Sequence, residues 1–154
     1  MAKKQYADLD DLTKIKKQWH KMSGLHSRED WSAAMVRAAT AAEIAANYAV
    51  RREFAARSKF NGEFVDKLLR WANGIDGKVT RLIVPLHSGR KHEKAVAALK
   101  GLIEDLNKKR NEIVHSGHFM NKKEAKETIS RAKVFIETVV GLYQKGFELT
   151  DPDA

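Results

Sequence analysis

The residues of this chain best suited to chemistry lie in one stretch, Arg110-Asn111-Glu112-Ile113-Val114-His115. They continue an apolar stripe of helical spacing, Val96, Leu99, Ile103 and Leu106, whose next step of four is Arg110, followed by Ile113. A guanidinium therefore takes a core-facing position. Burying an unpaired charge costs on the order of several kcal/mol, so Arg110 is expected to meet a carboxylate, a subunit boundary or a bound anion. The plainer alternative is a stem bent along apolar surface with its charge in water near a helix end. His115 stands five residues further on, about 140° around a regular helix, so the two side chains do not share a face and do not form a helical metal pair. They converge only if the helix ends at Ser116-Gly117, or if a second copy of the chain supplies the partner across a twofold axis. The spacing predicts a composite site.

The elements that must position this motif read as helices. Prolines occur only at 85 and 152, and the stretches between are rich in Ala, Leu, Lys, Arg and Glu, which lose least on entering a helix. The expected fold is all-α, an antiparallel bundle of about five helices. The first covers residues 9–22, packs by Leu12, Ile15 and Trp19, and stops near Ser23-Gly24. The second starts at Ser27 as cap, with Glu29 and Asp30 at its positive end, and runs toward Arg57. Along it Trp31, Met35, Ala38, Ala42, Ala45 and Ala49 form a seam that marks a central, closely packed element. The third follows an Asn61 cap, with Phe64, Leu68 and Trp71 on its apolar side, and closes at Asn73-Gly74.

Residues 79–86 are β-branched and Pro-terminated, but a lone strand has no partner, so a short helix is expected there. A basic turn at residues 87–92 leads into the fourth helix, 92–114, which carries the motif. The fifth begins after Asn121, boxed with Glu124. It closes the bundle through Ile129, Ala132, Ile136, Val139, Tyr143 and Phe147. The 154 residues suit one domain, with 1–7 and 149–154 expected as frayed tails.

Other candidates are weaker. Glu43 and Asn47, one turn apart in the second helix, are an auxiliary pair that lines a polar pocket or, as the spacing favours, decorates a solvated face. His87 with His92, and His115 with His118, lack the carboxylate companions of a zinc site, so no metal is expected. Gly77-Lys78 lacks the preceding glycine of a phosphate loop. No cysteine is present, which excludes thiol catalysis and disulfides. The amino terminus does not read as a signal peptide and no apolar run reaches membrane length, so a cytoplasmic protein without membrane partners is expected. The 29 Lys and Arg against 20 Asp and Glu leave a formal charge of +9, which favours polyanionic partners, nucleic acid first among them. No helix-turn-helix signature points to DNA.

The run Leu106-Asn107-Lys108-Lys109-Arg110-Asn111-Glu112-Ile113-Val114-His115-Ser116-Gly117, followed by a helix rich in small and apolar residues, resembles the HEPN superfamily. That family has helical-bundle domains with an Arg, commonly a polar residue directly after it, and four to six residues to a His. Its active members are metal-independent ribonucleases that work as dimers. The resemblance implies a homodimeric endoribonuclease of toxin-antitoxin or antiphage defence type, with Arg110, Asn111 and His115 as catalytic residues and no cofactor. In that chemistry a 2′-hydroxyl attacks the neighbouring phosphorus, leaving a 2′,3′-cyclic phosphate and a 5′-hydroxyl. His115 would move protons, Arg110 would hold the phosphate by its planar fork, and Asn111 would position the phosphate or the imidazole. Lys108, Lys109, Arg90 and Lys91 would track the RNA backbone, or else serve as solvated surface. Gly117 stands where members paired with nucleotidyltransferase antitoxins often have Tyr, so neutralisation by tyrosine modification there is not expected. A regulator or antitoxin would be a separate protein. The alternative is a non-catalytic HEPN-like module that binds RNA or nucleotides or recruits another protein.

Overall fold

The structure, a computed structural model, describes Tyr6 and residues 10–151. All regular structure among them is helical: α1 (Asp11–Ser27), α2 (Trp31–Arg57), α3 (Gly62–Trp71), α4 (Gly74–Lys78), a π-helical turn (Val79–Ile83), α5 (Val84–Leu86), α6 (Glu93–Ser116) and α7 (Lys122–Gly141). None of these helices is long and apolar enough to cross a membrane.

The alanine seam makes α2 the axis of the fold. Met35, Ala38, Ala42, Ala45 and Ala49 are buried, and so are Ala34, Ala41, Ala46 and Val50 on other sides. A helix apolar over most of its circumference must be surrounded, and α1, α3, α4, α6 and α7 all pack on α2. Phe135 of α7, the largest fully buried side chain among the described residues, joins Ile15 and Met22 of α1 and Ile103 and Leu106 of α6 in the same core.

Local signals set several boundaries. Asn61 accepts from the Phe64 amide at 2.8 Å and caps α3 as expected, and Asp10, for which no cap role was expected, accepts from the Thr13 amide at 2.8 Å and caps α1. Asn121 accepts from the Glu124 amide at 2.9 Å, and its own side-chain amide donates to Glu124 Oε1 at 3.0 Å. Asn121→Ala removes both bonds and is expected to lower stability by about 1 kcal/mol in urea unfolding. Residues 79–86 are helical, with a widened turn. The Val84 amide reaches back to the Val79 carbonyl, five residues away, and this relieves the clash that the Pro85 ring has with the preceding turn of an α-helix.

Four expectations fail. The stop at Ser23-Gly24 is overridden, and α1 runs on to Ser27 because His26 is buried with its ring edge-on to Trp31 at 5.0 Å. Ser27 therefore does not cap α2; its hydroxyl donates to the Ser23 carbonyl, and Asp30 holds the cap position without a side-chain bond. On α3 the buried residues are Val65 and Leu69, while Phe64 and Trp71 are exposed. Both faces of α3 carry apolar residues, and the shorter side chains fit against α2. The aromatics stack outside instead, Phe64 on Phe60 and Trp71 under Arg81. Helix α7 ends at Gly141, so Tyr143 and Phe147 pack from the turns beyond it.

The tails expected to fray are partly docked. Leu149 is buried and its amide donates to Glu137, the Thr150 carbonyl accepts from Trp19 Nε1 at 2.7 Å, and Asp151 pairs with Lys133 at 2.9 Å. Tyr6 accepts from Gln18 at 2.9 Å. The rest of those tails, residues 1–5, 7 and 152–154, lie outside the described residues, as do positions 8 and 9.

Candidate active site at the end of helix α6

Helix α6 points the motif out of the core along the predicted stripe. Val96, Leu99, Ile103 and Leu106 are buried, and at the next positions Arg110 and Ile113 are half-buried. Gly117 ends the helix in the left-handed region, at φ 65°, where a residue with a Cβ is strained. The Glu112 carbonyl then accepts from the amides of both Gly117 and His118. Three residues on, the Met120 amide donates to Ser32 Oγ at 2.9 Å, and buried Met120 anchors the loop against the first turn of α2. The end of α6 is thus pinned on both sides of the turn.

Of the three partners that a core-facing Arg110 could have, the carboxylate is missing. Its one described hydrogen bond goes from Nη1 to Asn111 Oδ1 at 3.3 Å, and no ion pair forms with it among the described residues. A half-buried guanidinium held only by a neutral amide keeps most of its donors for an incoming anion. His115 is exposed on the last turn of α6, between exposed Val114 and, past the turn, Phe119 at 88% exposure. Arg110 and Asn111 come together, and His115 stands on another face, as the five-residue spacing requires.

The remaining candidates are dispersed. Lys108 is exposed beside the motif, and Lys109 lies 3.9 Å from Glu124 Oε2. Arg90 and Lys91 are exposed before the start of α6, at the far end of the helix and roughly 25 Å from Arg110 along the axis. Glu43 and Asn47 do not decorate a solvated face: Glu43 pairs with buried Lys78 at 2.7 Å, and both line a separate cleft between α2, α3 and α4.

Two groupings have no counterpart in the sequence reading. His118, just beyond the motif, places Nε2 3.3 Å from Glu124 Oε2, and only the three-residue step from His115 hinted at it. The second is a network in which buried Glu53 and His87 meet half-buried Tyr143 and the more exposed Arg57. The Tyr143 hydroxyl donates to Glu53 Oε1 at 2.6 Å, so His87 Nε2, 3.1 Å from the same hydroxyl, must carry a proton and donate to it. Arg57 donates to Glu53 Oε2 at 2.6 Å and also to the Leu86 carbonyl.

Burial holds the His87 imidazole below its ordinary pKa against the pull of Glu53, with the charges of Arg57, His92 and Arg90 adding to the depression. Burial likewise works to raise Glu53, but the bonds from Tyr143 and Arg57 outweigh it and keep the carboxyl below its ordinary value. Because His87 is neutral near pH 7, Tyr143 and Arg57 do most of that work. Tyr143 itself is raised, first by burial and then by the bond it donates. Glu53 and Arg57 are spaced for an i, i+4 pair, but the other two members come from distant segments. No group of three His, Asp or Glu side chains among the described residues is placed to hold a metal ion. No family model, curated protein or solved structure matches this chain.

Proposed function

We propose that this chain is a metal-independent endoribonuclease of the HEPN type, serving in a toxin-antitoxin or antiphage defence system. The observation that carries the reading is Arg110, which continues the buried stripe of α6 yet has no carboxylate partner among the described residues. Without a carboxylate, its charge is left to water, a bound anion or a subunit boundary, and an RNA phosphate at a dimer interface supplies the last two at once. Asn111 holds the guanidinium, while His115 is open to solvent on another face, so a complete site takes Arg110 and Asn111 from one protomer and His115 from its partner. Exposed Val114 and Phe119 give the second copy apolar surface next to His115. The reaction is attack by a 2′-hydroxyl on the adjacent phosphorus, with His115 moving protons and Arg110 balancing the added negative charge.

The test uses an RNA that the protein cuts in EDTA, resynthesised with a 2′-O-methyl group at the nucleotide before the cut. The methylated strand is expected to stay intact while the parent is consumed. Continued cutting at that position would assign the attack to water and overturn the mechanism.

A further inference from the structure

Three aromatic side chains that the core leaves out gather at α3: Phe60 is 57% exposed, Phe64 45% and Trp71 63%. A single exposed aromatic is ordinary on a monomer, but a group of them on one side of a helix marks a binding surface. The Phe60 and Phe64 rings stack, with centroids 4.6 Å apart and planes 29° from parallel. Trp71 stands seven positions after Phe64, which returns to within about 20° of the same side of the helix. The Arg81 guanidinium lies over its ring, 5.5 Å from the centroid, and most of the residue stays open to solvent. Lys67 is exposed between the two ring sites, one turn from each. Its described ion pair, with Glu63 at 3.7 Å, is an exposed one that water screens and a phosphate can replace. Along α3 the surface therefore reads ring, cation, ring, cation.

That alternation decides what can cover the row. A lipid layer or an apolar protein face that took up both ring sites would pull the Lys67 ammonium out of water between them. A second copy of the same face would set cations against cations: within residues 59–81 Lys59, Lys67, Arg70 and Arg81 are exposed, against Glu63 as the exposed carboxylate. A single strand of nucleic acid has the complementary alternation of flat base and phosphate. Every base offers a π-face to an aromatic ring, and the cations beside the rings take the backbone. The two ring sites are about 10 Å apart along the helix axis, well beyond the roughly 3.4 Å rise between stacked neighbours, so they take bases that have left their stack. A duplex keeps its base faces covered, whereas RNA loops, bulges and ends splay theirs out. The formal charge of +9 steers such a strand toward the protein.

We propose that this face of α3 is a docking platform for an unpaired segment of RNA, with one base stacked on Trp71, another on the Phe60 and Phe64 pair, and Lys67 and Arg81 on the phosphates. The platform does not depend on whether the α6 motif cleaves.

The test is fluorescence anisotropy of a labelled 2′-O-methyl RNA of about a dozen nucleotides, which no 2′-hydroxyl attack can cut, titrated with the whole protein as a free strand and as a duplex with its complement. Trp71→Ala and Phe64→Ala are each expected to weaken free-strand binding about tenfold. Both side chains are exposed, so the melting temperatures should stay near wild type. Trp71→Phe keeps a ring and should recover most of the loss. Lys67→Gln should weaken binding several-fold and reduce its salt dependence. Duplex binding should not change with Trp71→Ala. The same tenfold loss is expected in an Arg110→Ala/His115→Ala background, which separates the platform from the α6 site. The proposal is overturned if Trp71→Ala and Phe64→Ala bind the free strand as wild type does, or if Trp71→Ala weakens strand and duplex alike. It is also overturned if Trp71 proves to be needed for binding phosphatidylserine vesicles, or for self-association in sedimentation, and not for binding the strand.

Discussion

Mixing equal amounts of folded Arg110→Ala and His115→Ala proteins is expected to restore about a quarter of wild-type RNA cleavage, although each alone is nearly inactive. Loss of His115 removes proton transfer and is expected to slow cleavage by about 10²–10⁴-fold. Loss of Arg110 removes charge stabilisation and is expected to cost about 10²–10³-fold. If Arg110 of one protomer works with His115 of its partner, a mixed dimer holds one site with both residues and one with neither. After random exchange roughly half the dimers are mixed, which gives the quarter. Activity of the mixture no greater than that of its parts would place both residues of a working site on one chain. The rate is read on a labelled RNA in EDTA after the two proteins have been incubated together long enough to exchange. Arg110 is only half-buried, one step past the last buried residue of the stripe, and His115 is exposed, so their melting temperatures should stay near wild type.

Glu53→Ala is expected to destabilise the fold by about 3 kcal/mol in urea unfolding, the largest stability effect predicted for a single polar side chain here. Glu53 is the common acceptor for Tyr143 and Arg57 and lies 3.3 Å from His87, and both His87 and Glu53 are buried. Its removal strands a hydroxyl and a charge that were taken from water to meet it. The lower end of the range for broken buried pairs applies because the Arg57 side chain keeps 26% of its exposure. Glu53→Gln retains an acceptor oxygen and should cost less.

The same network sets a pH dependence. His87 is depressed in the fold, so the unfolded chain binds more protons below the ordinary histidine value of about 6.5, and stability falls as pH drops past it. Glu53 is also depressed, so its contribution is complete above the ordinary carboxylate value of about 4.3 and is lost as pH falls through the lower folded value. Both act in one direction. The melting temperature should be level above about pH 7 and fall in two stages on acidification, and His87→Gln should remove the first.

What could be read from the sequence was what local spacing decides. The buried alanines of α2, the Asn61 and Asn121 caps and the Arg110 position on the α6 stripe all follow from residues a few steps apart on one helix. Where the chain had two local options, tertiary packing chose. Gly24 is a weak stop that buried His26 overrides, and α3 had two apolar faces of which α2 accepts the slimmer. The Glu53, His87 and Tyr143 network joins positions 34 and 90 residues from Glu53, where no periodicity connects them. Glu43 and Asn47 were legible as a pair, with a polar pocket the less favoured of two readings, because Lys78 arrives there only when α4 folds onto α2.

The central claim is that the α6 motif cuts RNA without metal. It is tested most directly by incubating the purified protein with total RNA in EDTA, beside an equally folded Arg110→Ala/His115→Ala double variant, and analysing the new ends. Cleavage by the wild type alone, leaving 2′,3′-cyclic phosphate and 5′-hydroxyl ends, is the predicted result. Intact RNA in both tubes, or equal cleavage in both, would contradict it.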